Sequence, residues 1–221
     1  MKIKEAYQIL TDKLNKSSTN FGQMIEYHVA VRAINEAQSY WYDTRLKVAE
    51  SNLNIQRELQ SFIKQAILNK VEITNHYIAY ELPDDYYLIN QIIVTAYKKN
   101  CILQLDTFFT ENANSEELFL NADFTPDFEW QQTLATIKNN HLIVFKKDFE
   151  IDVKVDYFKQ LRGVDIASDY IHLNNEASVD IDLEFEGSNA YEILTIAAQI
   201  ISGNNSDPVY QIHNNTIKEF N

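Results

Sequence analysis

Apolar positions recur every three to four residues in the first part of the chain and every two residues in its middle. Ile3, Ala6, Tyr7, Leu10 and Leu14 predict a first amphipathic helix, closed by a polar break from Ser17 to Gly22. Met24, Tyr27, Val31, Ile34 and Trp41 continue the three-four alternation with Gln38 in the remaining slot. They predict a long helix running to about Leu46, with Glu26, Arg32, Asn35 and Glu36 turned to water or a neighbour. Residues 50–70 read as a polar connection with a further helical stretch, whose buried positions are Ile55, Leu59, Phe62, Ile63 and Ala66.

From about Val71 the period changes. Strands are predicted at Tyr77–Tyr80, Tyr87–Tyr97, Cys101–Phe109, Trp130–Ile137, His141–Lys147 and Ile151–Phe158; Tyr87–Tyr97 is rich in Ile, Val and Tyr, as strands are. The last is the clearest: Ile151, Val153, Val155 and Tyr157 alternate with Asp152, Lys154, Asp156 and Phe158. Lys138-Asn139-Asn140-His141 reads as a hairpin turn, and Asn112–Glu117 as a loop or short helical turn. Helix returns near the end. Ser188 or Asn189 is a candidate cap, with Glu192 completing a capping box, and Gly203 a stop. A loop over 204–208 and a short helix over 209–220 follow. The expected fold class is α+β, a helical bundle from both chain ends with a central β-sandwich-like domain. The expected division is a helical domain of 1–70 with 186–221 and a β-rich domain of 71–185.

Composition narrows the function classes. Of 221 residues, 19 are Lys or Arg and 32 Asp or Glu, a net charge of −13. Stable nucleic-acid binding needs a basic face, so this balance points away from a DNA or RNA grip and toward a basic partner or a surface that repels DNA. The single Cys101 leaves no intrachain disulfide and sits in the apolar run Cys101–Leu105, which predicts a buried small hydrophobe. No secretory leader and no membrane-length apolar run is visible, so a soluble chain made in a reducing cytoplasm is expected.

No arrangement of residues spells out a reaction. The five histidines His28, His76, His141, His172 and His213 form no metal-spaced pair. Asp180, Asp182, Glu184 and Glu186 share one face of an extended stretch. That face could draw a cation such as calcium, but it lacks a glycine-centred loop and reads as a solvated edge or a face for a basic partner. Asp84-Asp85 and Glu116-Glu117 are further acidic pairs. No GxSxG, GxGxxG or P-loop pattern occurs. Aromatic clusters at Tyr40-Trp41-Tyr42 and Phe124–Trp130 suit core and strand surface, protein–protein contact, or, less readily, a carbohydrate platform. No cofactor, metal or catalytic residue is expected.

Four segments together resemble a known family. They are Ala33-Ile34-Asn35-Glu36-Ala37-Gln38-Ser39-Tyr40-Trp41, Leu82-Pro83-Asp84-Asp85-Tyr86-Tyr87-Leu88, Pro126-Asp127-Phe128-Glu129-Trp130-Gln131-Gln132-Thr133 with Val155-Asp156-Tyr157-Phe158-Lys159, and the acidic stretch before the Glu192–Ile201 helix. In this order they are similar to the head-to-tail connector (adaptor or ring) proteins of tailed bacteriophages, most closely the crAss-like type. The family's aromatic-basic-proline step is replaced here by Tyr157-Phe158-Lys159-Gln160-Leu161-Arg162, without proline.

The resemblance implies a non-enzymatic virion protein made in the host bacterial cytoplasm. It would form a neck ring of twelve copies between portal and tail, extending the DNA channel and docking further ring or tail proteins. Its partners would be itself, the portal protein and passing duplex DNA without specific binding; no membrane is implied. Expected contact residues are Tyr40, Trp41, Tyr42, Asp84, Asp85, Tyr86, Asp182 and Glu184. The alternatives are another tail component, such as a stopper or fibre adaptor, a carbohydrate-binding or hydrolytic accessory protein, or a bacterial regulatory or scaffold protein.

Overall fold

The computed structural model of the chain describes residues 1–17, 24–49, 52–110, 124–168, 172 and 176–204. The expected features at 18–22, 112–117 and 205–220 lie outside these. The chain divides into two units, Met1–Glu58 with Leu161–Asn221, and Leu59–Gln160.

In the first unit, α1 (Ile3–Ser17) and α2 (Tyr27–Ala49) both lie against α4 (Gly187–Asn204). The helix α3 (Leu53–Leu59) completes the described helices. Ile3, Ala6 and Leu10 bury one face of α1; Ala30, Val31, Ala33, Ile34, Ala37, Trp41 and Tyr42 bury one face of α2; Ala190, Ile193, Leu194, Ala197 and Ile201 bury one face of α4. The helical period of the sequence thus survives as packing. Between Leu161 and Glu186 the described residues form no helix, and Leu183 and Phe185 turn into the core.

The described strands of the second unit form one eight-stranded sheet. Its strands are β1 (Ile63–Ile67), β2 (Lys70–Ile73), β3 (Tyr77–Glu81), β4 (Tyr86–Lys98), β5 (Cys101–Phe109), β6 (Gln132–Lys138), β7 (His141–Phe145) and β8 (Glu150–Lys159). They stand in the order β1-β8-β4-β5-β6-β7-β3-β2. All pairs are antiparallel except β5 with β6.

These arrangements overturn the expected helical bundle with a β-sandwich-like domain. A sandwich needs two separate sheets. Here β5 belongs to both halves: Cys101–Leu105 pair with β4, and Asp106–Phe109 pair with β6. The sheet is therefore continuous and curls into a half-barrel around Ile78, Tyr80, Val94, Ala96, Leu105, Val144, Ile151 and Val155. Nor do the two chain ends supply a bundle: past Leu161 the described chain contributes one helix after a long non-helical run.

Other local expectations change too. Ile63 and Ala66 continue the helical spacing of Ile55, Leu59 and Phe62. Yet Ile63–Ile67 form a strand, because β8 offers them an antiparallel ladder from Ile63↔Phe158 to Ile67↔Lys154. Met24 precedes its helix and is exposed. Cys101 is exposed rather than buried, since it opens β5 directly after the tight turn at Lys99-Asn100. The helix α4 starts at Gly187, whose φ of 55° is the left-handed region that glycine tolerates, and so Ser188 and Asn189 lie within it. The hairpin at Lys138–His141 forms as expected: Asn139 and Asn140 take φ of 51° and 62°, the backbone of a type I′ turn.

Candidate functional site

Asp85 is the most heavily used side chain of the turn into β4. Its carboxylate accepts from the Tyr157 hydroxyl at 2.7 Å through one oxygen and pairs with the Lys64 ammonium through the other. Its backbone oxygen accepts from the Gln160 amide at 2.7 Å. The turn itself is closed by the Tyr86 amide donating to the Pro83 carbonyl at 3.0 Å. Leu88 then pairs with Phe158, and the Tyr86 and Tyr157 rings lie 6.3 Å apart. One acidic residue thus ties the start of β4 to β1 and to the end of β8, all within the sheet unit.

The charges follow this geometry. The Lys64 ammonium, then the Tyr157 hydroxyl, hold the Asp85 carboxyl below the usual carboxylate range. Burial, reinforced by Asp85, pushes the Tyr157 phenol up to about 12. The depressed Asp85 value stabilises the fold above the ordinary carboxylate range, and that contribution is lost as pH falls through the folded-state value. The raised Tyr157 value acts at the other end. Its contribution is complete below the ordinary phenol value, near 10, and is lost as pH rises through about 12. Tyr157→Phe is expected to raise the Asp85 pKa toward that of a free carboxylate and to flatten the alkaline loss. Carboxyl-carbon NMR titration reads the first effect, and an unchanged Asp85 curve would contradict the assignment.

The neighbouring Asp84 is exposed and Tyr86 is half-buried. The Tyr40-Trp41-Tyr42 cluster divides. Tyr40 is 54% exposed, whereas Trp41 and Tyr42 are 2% exposed and spend their surface inside the helical unit. Trp41 donates its indole N–H to Glu192 at 2.9 Å, meets the Phe185 ring edge-on at 5.1 Å, and carries the Arg45 guanidinium 5.2 Å from its centroid. Arg45 also donates to both Glu192 oxygens, at 3.1 and 3.0 Å. Glu192 is therefore the partner of Trp41 and Arg45 and not half of a capping box.

Asp182 and Glu184 belong to an extended segment whose inward residues are Leu183 and Phe185. The carboxylates on its other side hold backbone: Asp182 accepts from the Ile3 amide at 2.9 Å at the start of α1, and Glu184 from the Arg162 amide at 3.4 Å. Asp180 pairs with Lys4 at 2.6 Å and accepts from the Ala167 amide at 2.8 Å. The acidic alternation seen in the sequence thus fastens α1 and the 161–168 run, with an acid near the positive end of a helix. Among the described residues no three of His, Cys, Asp and Glu gather as a metal site.

Two polar residues matter here; periodicity placed Asn35 among those facing water or a neighbour but named no partner for it. Asn35 accepts from the Val164 amide at 2.8 Å and donates to its carbonyl at 3.0 Å, acting as a one-residue strand partner. Asp165 is buried and accepts from the Ile166 and Val179 amides at 2.9 and 2.8 Å, with the His172 ring at 2.9 Å. A polar residue on a helix next to buried small residues was the available signal for Asn35. Nothing in the order of residues marked Asp165.

No family model matches this chain, and no curated protein matches it significantly. Among the described residues, no helix is long and apolar enough to cross a membrane.

Proposed function

We propose that this chain is a structural virion protein, a subunit of the neck ring that joins portal to tail in a tailed bacteriophage. The observation that carries the reading is the joint at Asp85. Leu82–Leu88 and Val155–Lys159, two of the segments that resemble the connector family, are held together there by the Tyr157–Asp85 hydrogen bond of 2.7 Å and the Leu88↔Phe158 pairing. Residues that look like family markers therefore have a shared architectural task, the one expected of a structural protein. The net charge of −13 supports the same reading, because a carboxylate-rich lumen lets duplex DNA pass without gripping it. Subunits of such a ring meet through head-to-tail contacts that close by rotation.

The test is the mass of the assembled species. Native mass spectrometry of the purified chain, and of the particle that contains it, is expected to give a closed oligomer of twelve copies at the neck. A chain that stays monomeric at every concentration and is missing from particles would overturn the reading. So would tight, salt-dependent duplex binding by the ring.

A further inference from the structure

The half-barrel has a gap between two strands that are neighbours in its order. A tight turn at Lys99-Asn100 joins β4 to β5, and the two pair from Lys98↔Cys101 to Val94↔Leu105. Beyond that point they part. Among the described residues, β4 from Ile93 back to Tyr86 pairs only with β8, and β5 from Asp106 to Phe109 pairs only with β6.

Backbone direction alternates along a strand, so each wall of the gap can be read. The Asp106 amide donates to the Gln131 carbonyl at 2.7 Å and the Thr110 amide to the Ala135 carbonyl at 3.0 Å, which turns the even residues of β5 toward β6. The N–H and C=O of Thr107 and Phe109 therefore point into the gap. On the facing wall, Val94, Ala96 and Lys98 turn toward β5, and Ile92 continues that row. No strand among the described residues takes these groups.

The gap also opens onto the core. It is a cleft of about 630 Å³ lined by Ile89, Ile92, Leu105, Thr107, Phe109 and Ile137 among others. Ile89, Ile92 and Ile137 are only partly covered although they pack against the buried cluster. Among the described residues, one side is short of backbone partners and the other of apolar cover, and a single β-strand supplies both.

We propose that this gap is a strand-acceptor slot for an extended segment of a partner polypeptide. The incoming strand lies antiparallel to one wall and parallel to the other, because β4 and β5 are themselves antiparallel. Its inward residues are β-branched and meet Ile92, Leu105 and Ile137. Among the described residues that line the slot there is no cation and Asp106 is the one charge, so the segment is uncharged apart from a basic residue beside Asp106. A lone strand of a partner is favoured over the edge of a second copy. The sheet's own edge strands, β1 and β2, each keep a neighbour, β8 and β3, and can satisfy only one wall. This is recognition by strand addition, in which backbone bonds supply affinity and alternate side chains supply selectivity.

The probe is a fluorescein-labelled synthetic peptide of alternating Thr and Val with a terminal Lys, titrated into the full chain and followed by anisotropy. Saturable binding is expected, together with slowed hydrogen exchange at the Ile92, Thr107 and Phe109 amides. Thr107→Pro removes a donor from the slot wall and leaves the β5–β6 bonds in place, since Asp106 and Thr110 make those. It is expected to weaken binding about tenfold or more. The same peptide N-methylated at alternate amides should fail to bind wild-type protein, an arm that does not depend on the variant folding.

The proposal is overturned if the peptide does not bind, if the methylated peptide binds equally well, or if the three amides are already protected in the free protein. Protection in the free protein would mean that the chain or a second copy fills the slot. The slot rests on the sheet alone. A failed titration leaves the neck-ring reading standing, and a monomeric mass sinks that reading without touching the slot.

Discussion

Trp41→Ala is expected to cost the helical unit about 3–5 kcal/mol, enough to unfold a protein of ordinary stability. Trp41 is among the largest fully buried side chains, and its removal leaves a cavity that Phe185 and Arg45 bordered. It also takes the indole donor from Glu192, which keeps only the Arg45 guanidinium. Urea unfolding followed by far-UV circular dichroism reads the loss as a lower midpoint. Trp41→Phe retains most of the volume and loses the N–H, so its smaller cost separates the hydrogen bond from the packing. If Trp41→Ala unfolds with an unchanged midpoint, the described core of this unit is wrong. The other tryptophan makes the contrast: Trp130 is 80% exposed, and its fluorescence should report solvent in the native state.

Tyr80 is the corresponding lever in the sheet unit. It is fully buried on β3 and its hydroxyl donates to the Ile151 carbonyl on β8 at 2.9 Å, across the core. Burial in that apolar interior raises its pKa strongly. Tyr80→Ala is expected to cost about 3–5 kcal/mol. Tyr80→Phe, which only orphans the carbonyl, should cost about 1–3 kcal/mol. Thermal unfolding of the two variants reads the difference, and equal midpoints would mean that the ring makes no packing contribution. The absorbance change of phenol ionisation gives a separate check, because Tyr80 should ionise only when the sheet opens.

The sequence was most legible where a pattern is local. The bounds of β5, the type I′ turn at Asn139-Asn140 and the alternation of Ile151, Val153 and Val155 follow from neighbours a few residues apart. The buried face of α1 and, from Val31 on, that of α2 are legible for the same reason, whereas Met24 and Tyr27 of the expected stripe are exposed. What escaped is non-local. Ile63–Ile67 satisfy helical spacing until β8 supplies a ladder from residues nearly a hundred positions on. The parallel pairing of β5 with β6 needs a crossover that no turn signal announces. Without it the strands look like two sheets and not one.

The interaction residues divide along the same line. Asp85 stands out in the sequence as an acid after a proline, but its partners Lys64 and Tyr157 come from other strands. Tyr40-Trp41-Tyr42 reads as one aromatic cluster, yet helical geometry points its members different ways. Asp182 and Glu184 were visible as an alternating acidic face. That their task includes holding the amides of Ile3 and Arg162 depends on where those amides fall in space.

The step from β1 to β2 takes two residues, Leu68 and Asn69, yet these strands stand at opposite ends of the sheet's order. The Leu68 amide donates to the Val153 carbonyl and the Asn69 carbonyl accepts from the Glu81 amide, each at 3.0 Å, so the step clamps β8 on one side and β3 on the other. Mechanically it is a hoop. Tension that tries to flatten the sheet is carried through covalent bonds at this seam instead of through a row of hydrogen bonds. Under load the sheet should yield first where β4 and β5 have already parted, leaving its two ends joined.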